Sequence, residues 1–479
     1  MPVPTYDDLV TENRQLRQQL ADQAARLDQQ QRTIDQLQRT VQDLRQRLAA
    51  ADRAGKRQAA PFSNGPPKPD PKRPGRKPGA RHGRHGHRPA PPPDQVDETL
   101  DAPLPDQCPD CHGPLVESHC DTQYQTEIPR RPLRRRFHIH CGYCPRCGTA
   151  VRGRHPLQTS AATGAARSQL GPDAQAAIVY LNKHAGVSYG KIAATFARLF
   201  GVPVTRGACA QVVLRAGERL RPVYDQIQAH LRHTPSLTPD ETGWRIGGHP
   251  VWLHAWVGDD GTTCYAIDPK RSADALEAVI GRDWSGALTH DGFQSYDRFR
   301  AACHQQCVDH ALRRARRLAE TQTGRAKDFP EQIVALFRGA LAVRDRYLDR
   351  TIDAAALAAA HDRAVQDLEA LTDHPRTNAA NETFRHHLYV YAEQWFQFLV
   401  DPQIPATNHR AEQALKTPIV NRKVWGGNRT AAGAVAQAVT GSVLQTCKNK
   451  ALDVVTFVSN AFCGVLGALW ETPPVVPSG

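Results

Sequence analysis

The segment SLTPDETGWRI, residues 236–246, carries two adjacent carboxylates, Asp240 and Glu241, where an apolar run ends. The segments VWLHAWVG and TCYAID follow it. They have β-strand character and flank Asp-Asp-Gly at 259–261, a strong signal for a hairpin turn. These three segments predict three antiparallel strands. An acid at a strand end most often belongs to a solvated turn, so the role of Asp240 depends on the rest of the chain.

A second acid follows the predicted hairpin. SADALEAVIG, residues 272–281, has the pattern of a short amphipathic helix, and GALTHDGF is a short strand that ends in Asp291. The predicted order of elements is that of an RNase H-like sheet: three antiparallel strands, a helix and a further strand. In such a sheet the first and fourth strands are neighbours. Asp240 and Asp291 are therefore predicted to converge at one end of the sheet.

The third candidate acid is Glu412, in the predicted helical segment PATNHRAEQALKTPIVNRKVWGG. Basic residues that could bind DNA phosphates surround it: Arg410, Lys416, Arg422 and Lys423. Lys416 is four residues from Glu412 and would share its helix face. A single acid in a basic helix can be the centre of a salt-bridge cluster, and the alternative is a metal ligand beside a phosphate-binding face. Carboxylate oxygens suit Mg²⁺ or Mn²⁺, and a pair of such ions can stabilise both the attacking and the leaving oxygen in phosphoryl transfer. Asp240 would bind both ions, whereas Glu241 would face outward or support the turn.

The N-terminal region follows a seven-residue repeat over about six heptads. Its apolar rows are Leu9, Leu16, Leu37 and Leu44, and Tyr6, Leu20, Leu27, Ile34, Val41 and Leu48. This pattern predicts a coiled coil over residues 1–52 that joins the chain into a homo-oligomer, with a dimer as the expected form; a long solvated helix is the alternative. Residues 53–100, rich in Pro, Gly and basic side chains, predict a disordered linker. The residues of this linker expected to contact DNA are Arg73, Arg76 and Lys77.

Two Cys-x-x-Cys pairs lie within residues 101–155, a predicted zinc-binding domain: Cys108, Cys111, Cys144 and Cys147. The tight turns that contain Pro and Gly favour one structural tetrahedral Zn²⁺ over a redox dithiol. Cys141 could replace Cys147 as the partner of Cys144, and the sequence leaves that choice open. Between the pairs lies the basic stripe RRPLRRRFHIH, in which Arg134 and Arg135 are candidates for DNA binding.

Residues 156–232 contain a predicted helix at 191–200, a turn at Gly201 and a second helix that begins near Arg206. This is the spacing of a helix-turn-helix, with Arg206 as a candidate DNA contact, although two helices across a short turn are common without any DNA role.

The chain has 61 Lys and Arg against 48 Asp and Glu, and its formal charge of +13 favours a polyanionic partner. Its apolar runs are too short for a membrane span, so a cytoplasmic, nucleoid-associated protein is expected.

The blocks DETGW, HDGFQSYDRF, CVDH and TNHRAEQALKTPIVNRK resemble the catalytic blocks of transposases of the insertion sequence 66 family. The heptads, basic linker, cysteine pairs and helix-turn-helix also come in that family's order. The resemblance implies a multidomain α+β protein with an RNase H-like catalytic domain, residues 233–312 and 400–470, and a helical insertion at 313–399. It implies a DDE transposase whose acidic triad falls on Asp240, Asp291 and Glu412.

The same resemblance implies two Mg²⁺ or Mn²⁺ ions per active site, binding to terminal inverted repeats and target DNA, and strand transfer. Asn408-His409 departs from the paired asparagines expected before Glu412. Two alternatives retain the fold: a catalytically inactive DNA-binding regulator, and an RNase H-like structure-specific nuclease. A zinc-stabilised scaffold protein would leave the acids without a role. The sequence does not reveal whether accessory transposition proteins are required.

Overall fold

The computed structural model describes residues 6–55, 90–126, 128, 131–160, 169–467, 469 and 470. The chain divides into two compact units, Met1–Glu127 and Ile128–Gly479. In the first unit, α1 (Tyr6–Gly55) is one continuous helix of 50 residues, and a single 3₁₀ turn is formed by Pro93–Gln95. The heptad residues Leu20 and Leu44 are 65% and 55% exposed in the single chain. Exposed apolar rows of this kind are expected where a second helix would cover them. The predicted coiled coil stays a prediction, and Arg73, Arg76 and Lys77 lie outside the described residues.

The second unit begins with a small hairpin of β1 (Cys141–Tyr143) and β2 (Ala150–Arg152). Four helices follow: α2 (Pro172–Lys183), α3 (Tyr189–Phe200), α4 (Arg206–Arg219) and α5 (Arg221–Leu231). Ser188 accepts a hydrogen bond from the first turn of α3, and Thr205 does the same for α4. Gly201 ends α3 in the left-handed conformation, which a glycine adopts without steric cost. The helix and turn positions predicted for this region are therefore found, while a DNA role for Arg206 stays a prediction.

A five-stranded sheet forms the centre of the unit, in the order β5-β4-β3-β6-β7. Its strands are β3 (Ser236–Ile246), β4 (His249–Gly258), β5 (Thr263–Asp268), β6 (Ala287–His290) and β7 (Cys303–Gln306), with α6 (Asp274–Ile280) between β5 and β6. The β3–β4 and β4–β5 pairs are antiparallel, and the β3–β6 and β6–β7 pairs are parallel. The first and fourth strands of the sheet are thus neighbours, as the sequence predicted. The fifth strand, β7, was not predicted.

The remaining helices are α7 (Val308–Thr321), α8 (Asp328–Leu348), α9 (Ala354–Thr372), α10 (Ala379–Val390), α11 (Gln397–Val400), α12 (His409–Trp425), α13 (Ala431–Asn449) and α14 (Val454–Cys463). Helices α7 to α11 surround an apolar core of their own, in which Phe337 packs beside Trp395 and Phe396. A second core joins α2–α5, one face of the sheet, α13 and α14. The mixed helical and sheet architecture of the predicted fold class is confirmed, and the predicted domain boundaries stay predictions.

A third apolar cluster fixes α12 on the sheet. Ala411, Ala414 and Leu415 of this helix pack against Trp244 of β3 and Leu253 of β4. Because these residues recur at helical spacing, one face of α12 is buried and its first turn lies over β3 and β4. Among the helices that the structure describes, no segment has the length and hydropathy that a bilayer crossing would need.

Candidate active site

The parallel ladder between β3 and β6 determines how the first two acids are aligned. It joins Ser236 to Ala287 and Leu237 to Leu288. Extending the same register places Asp240 level with Asp291, which follows directly after β6. The two acids predicted to converge are therefore level with each other in register, just beyond the last paired residues of the ladder. Asp240 lies within β3, and Asp291 begins the loop that leads to a 3₁₀ turn, Gln294–Arg298.

Asp240 has an environment that disfavours its negative charge. Burial is the largest cause and raises the pKa of its carboxyl to about 7, and the charges of Asp291, Glu241 and Glu412 add to this rise. The N–H of Glu241 donates to Asp240 Oδ1 at 2.9 Å and acts in the opposite direction. The carboxylates are thus close enough to repel one another. Carboxylate oxygens whose charges repel one another fit a divalent cation in chemical character, since a cation would relieve that repulsion.

Glu412 lies in the first turn of α12, where Asn408 is the N-cap residue. Arg313 Nη2 of α7 donates to Glu412 Oε1 at 2.5 Å, and His310 Nε2 lies 3.7 Å from the same oxygen. Arg313 also pairs with Asp309. Glu412 is thus part of a salt-bridge cluster to which α7 contributes Arg313 and His310.

Glu241 does not face outward. Its side chain is 1% exposed, Arg271 Nη2 lies 2.7 Å from its Oε1, and the Tyr296 hydroxyl donates to its Oε2 at 3.0 Å. Successive residues of a strand point to opposite faces, so Glu241 occupies the face opposite that of Asp240. Arg271 neutralises it there, which makes burial tolerable. The expectation that Glu241 faces outward is wrong, and its alternative, support of the turn, fits these contacts.

The predicted phosphate-binding residues of α12 differ in their surroundings. Arg422 Nη1 donates to Thr242 Oγ1 at 3.2 Å, beside the acidic part of β3. Arg410 Nη1 donates to the backbone oxygen of Asp259 at 2.7 Å and thus contacts the β4–β5 turn. Lys416 and Lys423 are exposed on α12. Away from this helix, the other predicted DNA-binding residues that the structure describes are exposed: Arg134, Arg135 and Arg206.

Sequence reasoning missed Arg313. The segment CVDHALRRAR carries a signal for it, because His310 and Arg313 are three residues apart and so share a face of α7. The structure shows them together, with Arg313 Nη2 3.1 Å from His310 Nε2. Cys307 is buried, accepts a hydrogen bond from the N–H of Asn408 at its Sγ and so joins α7 to the start of α12.

Each predicted zinc pair forms its own tight turn. The N–H of His112 donates to the oxygen of Cys108, and the N–H of Gly148 donates to the oxygen of Cys144. Backbone N–H groups at Cys111 and Asp110 lower the pKa of Cys108, and the hydroxyl of Thr149 lowers that of Cys147, so each turn favours a thiolate. Cys141 lies on β1 and is exposed.

Over the ranges that the structure describes, no three His, Cys, Asp or Glu side chains are grouped so that they could hold a metal ion. The zinc ligands and the acidic triad therefore stay predictions. Glu412 is paired with Arg313 in this arrangement, so a cation at the acids would compete with a guanidinium for that carboxylate.

A family model described as "Transposase IS66 family" matches residues 167–436, more than half of the 479 residues. The matched range extends from before α2 into α13 and contains all three acids. No curated protein matches the chain.

Proposed function

The chain belongs to the IS66 family of transposases, and we propose that it binds the terminal inverted repeats of a bacterial insertion sequence, cleaves DNA there and joins the freed ends to target DNA. The observation that carries the proposal is the group of mutually repelling carboxylates at one end of β3 and β6. Asp240 has its pKa raised to about 7 by burial and by the charges of Asp291, Glu241 and Glu412. Strongly perturbed groups of this kind are typical of functional sites.

Asp240, Asp291 and Glu412 would hold Mg²⁺ or Mn²⁺, two ions per active site, which when bound supply Lewis-acid stabilisation of phosphate oxygens and acidify water. In cleavage, a water oxygen forms a bond to phosphorus, the bond to the departing 3′ oxygen breaks, and that oxygen leaves as a free hydroxyl. In joining, this hydroxyl attacks a target phosphate and a target oxygen leaves. The basic residues of α12 would orient the phosphates, so that catalysis consists mainly of positioning and charge stabilisation. Among these basic residues, Arg422 is a good candidate for contacting phosphate beside the acids, because it contacts Thr242 on β3.

The other modules would supply DNA affinity and assembly. The helices of residues 156–232, with Arg206, and the zinc-binding domain of residues 101–155, with Arg134 and Arg135, would bind the terminal repeats. The basic linker of residues 53–100 would add salt-dependent affinity that does not depend on sequence. The coiled coil of residues 1–52 would join two chains so that both ends of the element are processed together, in a nucleoid-associated complex.

A catalytically inactive DNA-binding regulator is the second candidate. The ion pair between Arg313 and Glu412 favours it, because a carboxylate held by a guanidinium is a poorer metal ligand than a free one. In a regulator, that pair would be permanent and the basic surfaces would serve only for DNA binding.

Strand transfer distinguishes these candidates. The full chain would be incubated with DNA ends from either side of its own gene, a target plasmid and Mg²⁺ or Mn²⁺, beside Asp240→Asn, Asp291→Asn and Glu412→Gln. Asp225→Asn is a matched control, because this acid lies on α5 and pairs there with Arg221. We expect joined product from the wild type and the control and none from the three acid variants. If the wild type binds its ends without cutting them in either metal, the regulator replaces the transposase; if Glu412→Gln stays active, the third ligand is wrong.

A further inference from the structure

Among the residues that the structure describes, backbone hydrogen bonds hold the Asp291 end of β6 to β7 and not to β3. The β3–β6 ladder joins Ser236 and Leu237 to their partners and stops before it reaches the acids, and Pro239 has no N–H with which to extend it. On the other side, β6 pairs with β7 along its full length, and the oxygen of His290 accepts a hydrogen bond from the N–H of Cys307 at 2.7 Å. Two acids that repel each other thus lie where the two strands could separate. Their spacing must depend on side chains.

A buried side-chain contact crosses from β3 to the segment after Asp291. The hydroxyl of Tyr296 donates to Glu241 Oε2 at 3.0 Å, and Tyr296 lies in the 3₁₀ turn that follows Asp291. Tyr296 is 2% exposed. Burial and the negative charge of Glu241 raise the pKa of its hydroxyl well above the ordinary value, so the hydroxyl keeps its proton and remains a donor. Because Glu241 directly follows Asp240, this bond connects the two acidic segments.

Arg271 adds a second connection. Its Nε donates to Glu241 Oε1 at 2.8 Å. The guanidinium carbon lies 5.0 Å from the ring centre of Trp252 on β4 and 4.5 Å from that of Phe293. The N–H of Phe293 in turn donates to Asp291 Oδ1 at 3.1 Å. Arg271 therefore links β3 and β4 to the residue that orients the Asp291 carboxylate.

We propose that Glu241, Arg271 and Tyr296 form a brace that sets the separation and orientation of Asp240 and Asp291. The three are positioning residues, because they act through the acids. A buried carboxylate that is held by a guanidinium and by a hydroxyl keeps one geometry, and the loss of one partner leaves a charge or a donor unpaired. This proposal rests on the proposed function where it concerns cation binding, because the affinity for a divalent cation would depend on the spacing of the two acids.

The first test measures Mn²⁺ affinity by calorimetry on the full chain without DNA, with Asp240→Asn as the reference that lacks the site. Tyr296→Phe removes only the hydroxyl that contacts Glu241. Tyr224→Phe is its matched control, because Tyr224 is also buried but donates its hydroxyl at 2.8 Å to the backbone oxygen of Tyr265 and not to Glu241. We expect Tyr296→Phe and Glu241→Gln to weaken Mn²⁺ binding at least fivefold and Tyr224→Phe to leave it unchanged. Provided that wild type binds Mn²⁺ more tightly than Asp240→Asn does, equal affinities in Tyr296→Phe and wild type, or an equal loss in the control, would overturn the brace.

A second readout needs neither metal nor DNA. Amide hydrogen exchange of residues 288–299 should become at least tenfold faster in Tyr296→Phe than in wild type and stay at the wild-type rate in Tyr224→Phe, because the loop after β6 loses its connection to β3. Unchanged exchange in Tyr296→Phe refutes the brace whatever the metal result. If wild type and Asp240→Asn bind Mn²⁺ equally, the proposed function fails, and exchange alone then decides for or against the brace. In the double variant of Glu241→Gln with Tyr296→Phe, the losses should not add, because the two residues belong to one network of contacts.

Discussion

Lys183 is the last residue of α2, and its ammonium group is enclosed between α2, α12 and α13. Its Nζ donates to Gln437 Oε1 at 2.8 Å and lies 5.9 Å from the ring centre of Trp425. The residue is 5% exposed, and burial lowers its pKa from the ordinary 10.5 to about 7. Asn421 of α12 donates to the backbone oxygen of the same lysine at 2.8 Å. Lys183 therefore stands at the junction between the N-terminal helices of the unit and the helix that carries Glu412.

The pKa shift fixes the sign and size of a pH effect on stability. The unfolded chain binds a proton at Lys183 up to about pH 10.5, whereas the folded chain releases it above about pH 7, so the unfolded state holds more protons between these values. The stability contributed by the uncharged amine is complete above pH 10.5 and is lost as the pH falls toward 7. One pKa unit corresponds to about 1.4 kcal/mol, so the full difference is on the order of 5 kcal/mol. Between pH 7 and pH 9 the change is roughly 2 kcal/mol.

The prediction concerns the difference between wild type and Lys183→Met, which keeps the apolar stem and removes the titrating group. The free energy of unfolding of the full chain would be measured with urea and tryptophan fluorescence at pH 7 and pH 9, at one ionic strength. We expect the wild type to gain about 2 kcal/mol relative to Lys183→Met over this interval. Lys448→Met, an exposed position on α13, should follow the wild type at both pH values. A wild-type minus variant difference that is the same at pH 7 and pH 9 would show that Lys183 is not held uncharged.

Three further predictions test separate parts of the chain. Replacing Arg313 with Met removes the cation that pairs with Glu412, so Mn²⁺ affinity measured by calorimetry should rise severalfold; an unchanged affinity would mean that Arg313 does not compete with a metal. Phe337→Ala opens the core of α7–α11, where Phe337 is fully buried, and should lower unfolding stability by about 3–5 kcal/mol in urea titrations; a loss below about 1 kcal/mol would contradict its role there. Elemental analysis of the purified chain should find one zinc per chain, absent in a Cys108→Ser, Cys144→Ser variant; zinc retained in that variant would refute the cysteine assignment.

The local signals of the segment from residue 236 to residue 268 were strong because each depends on neighbouring residues. The predicted strand at residues 236–246 coincides with β3, since an apolar run bounded by turn signals favours a strand. The hairpin turn at 259–261 forms as its Asp and Gly residues require, with Gly261 at a φ of 84° and the Asp260 carboxylate accepting from the N–H of Thr262. The fifth strand escaped notice because β7, CHQQ, is short and polar. It forms because the parallel edge of β6 offers it hydrogen-bond partners.

For the acids, too, the sequence determined some features and the tertiary structure determined others. The sequence by itself determined that Asp240 and Asp291 stand at neighbouring strands, because three antiparallel strands, a helix and a further strand indicate a sheet whose first and fourth strands are adjacent. It also indicated a helix around Glu412 with basic neighbours. Only the tertiary structure decided that Glu412 pairs with Arg313 of α7 and that Glu241 is buried against Arg271 and Tyr296. These pairings join segments that are far apart in the chain, and their geometry depends on how whole helices and strands pack, which no local pattern of residues encodes.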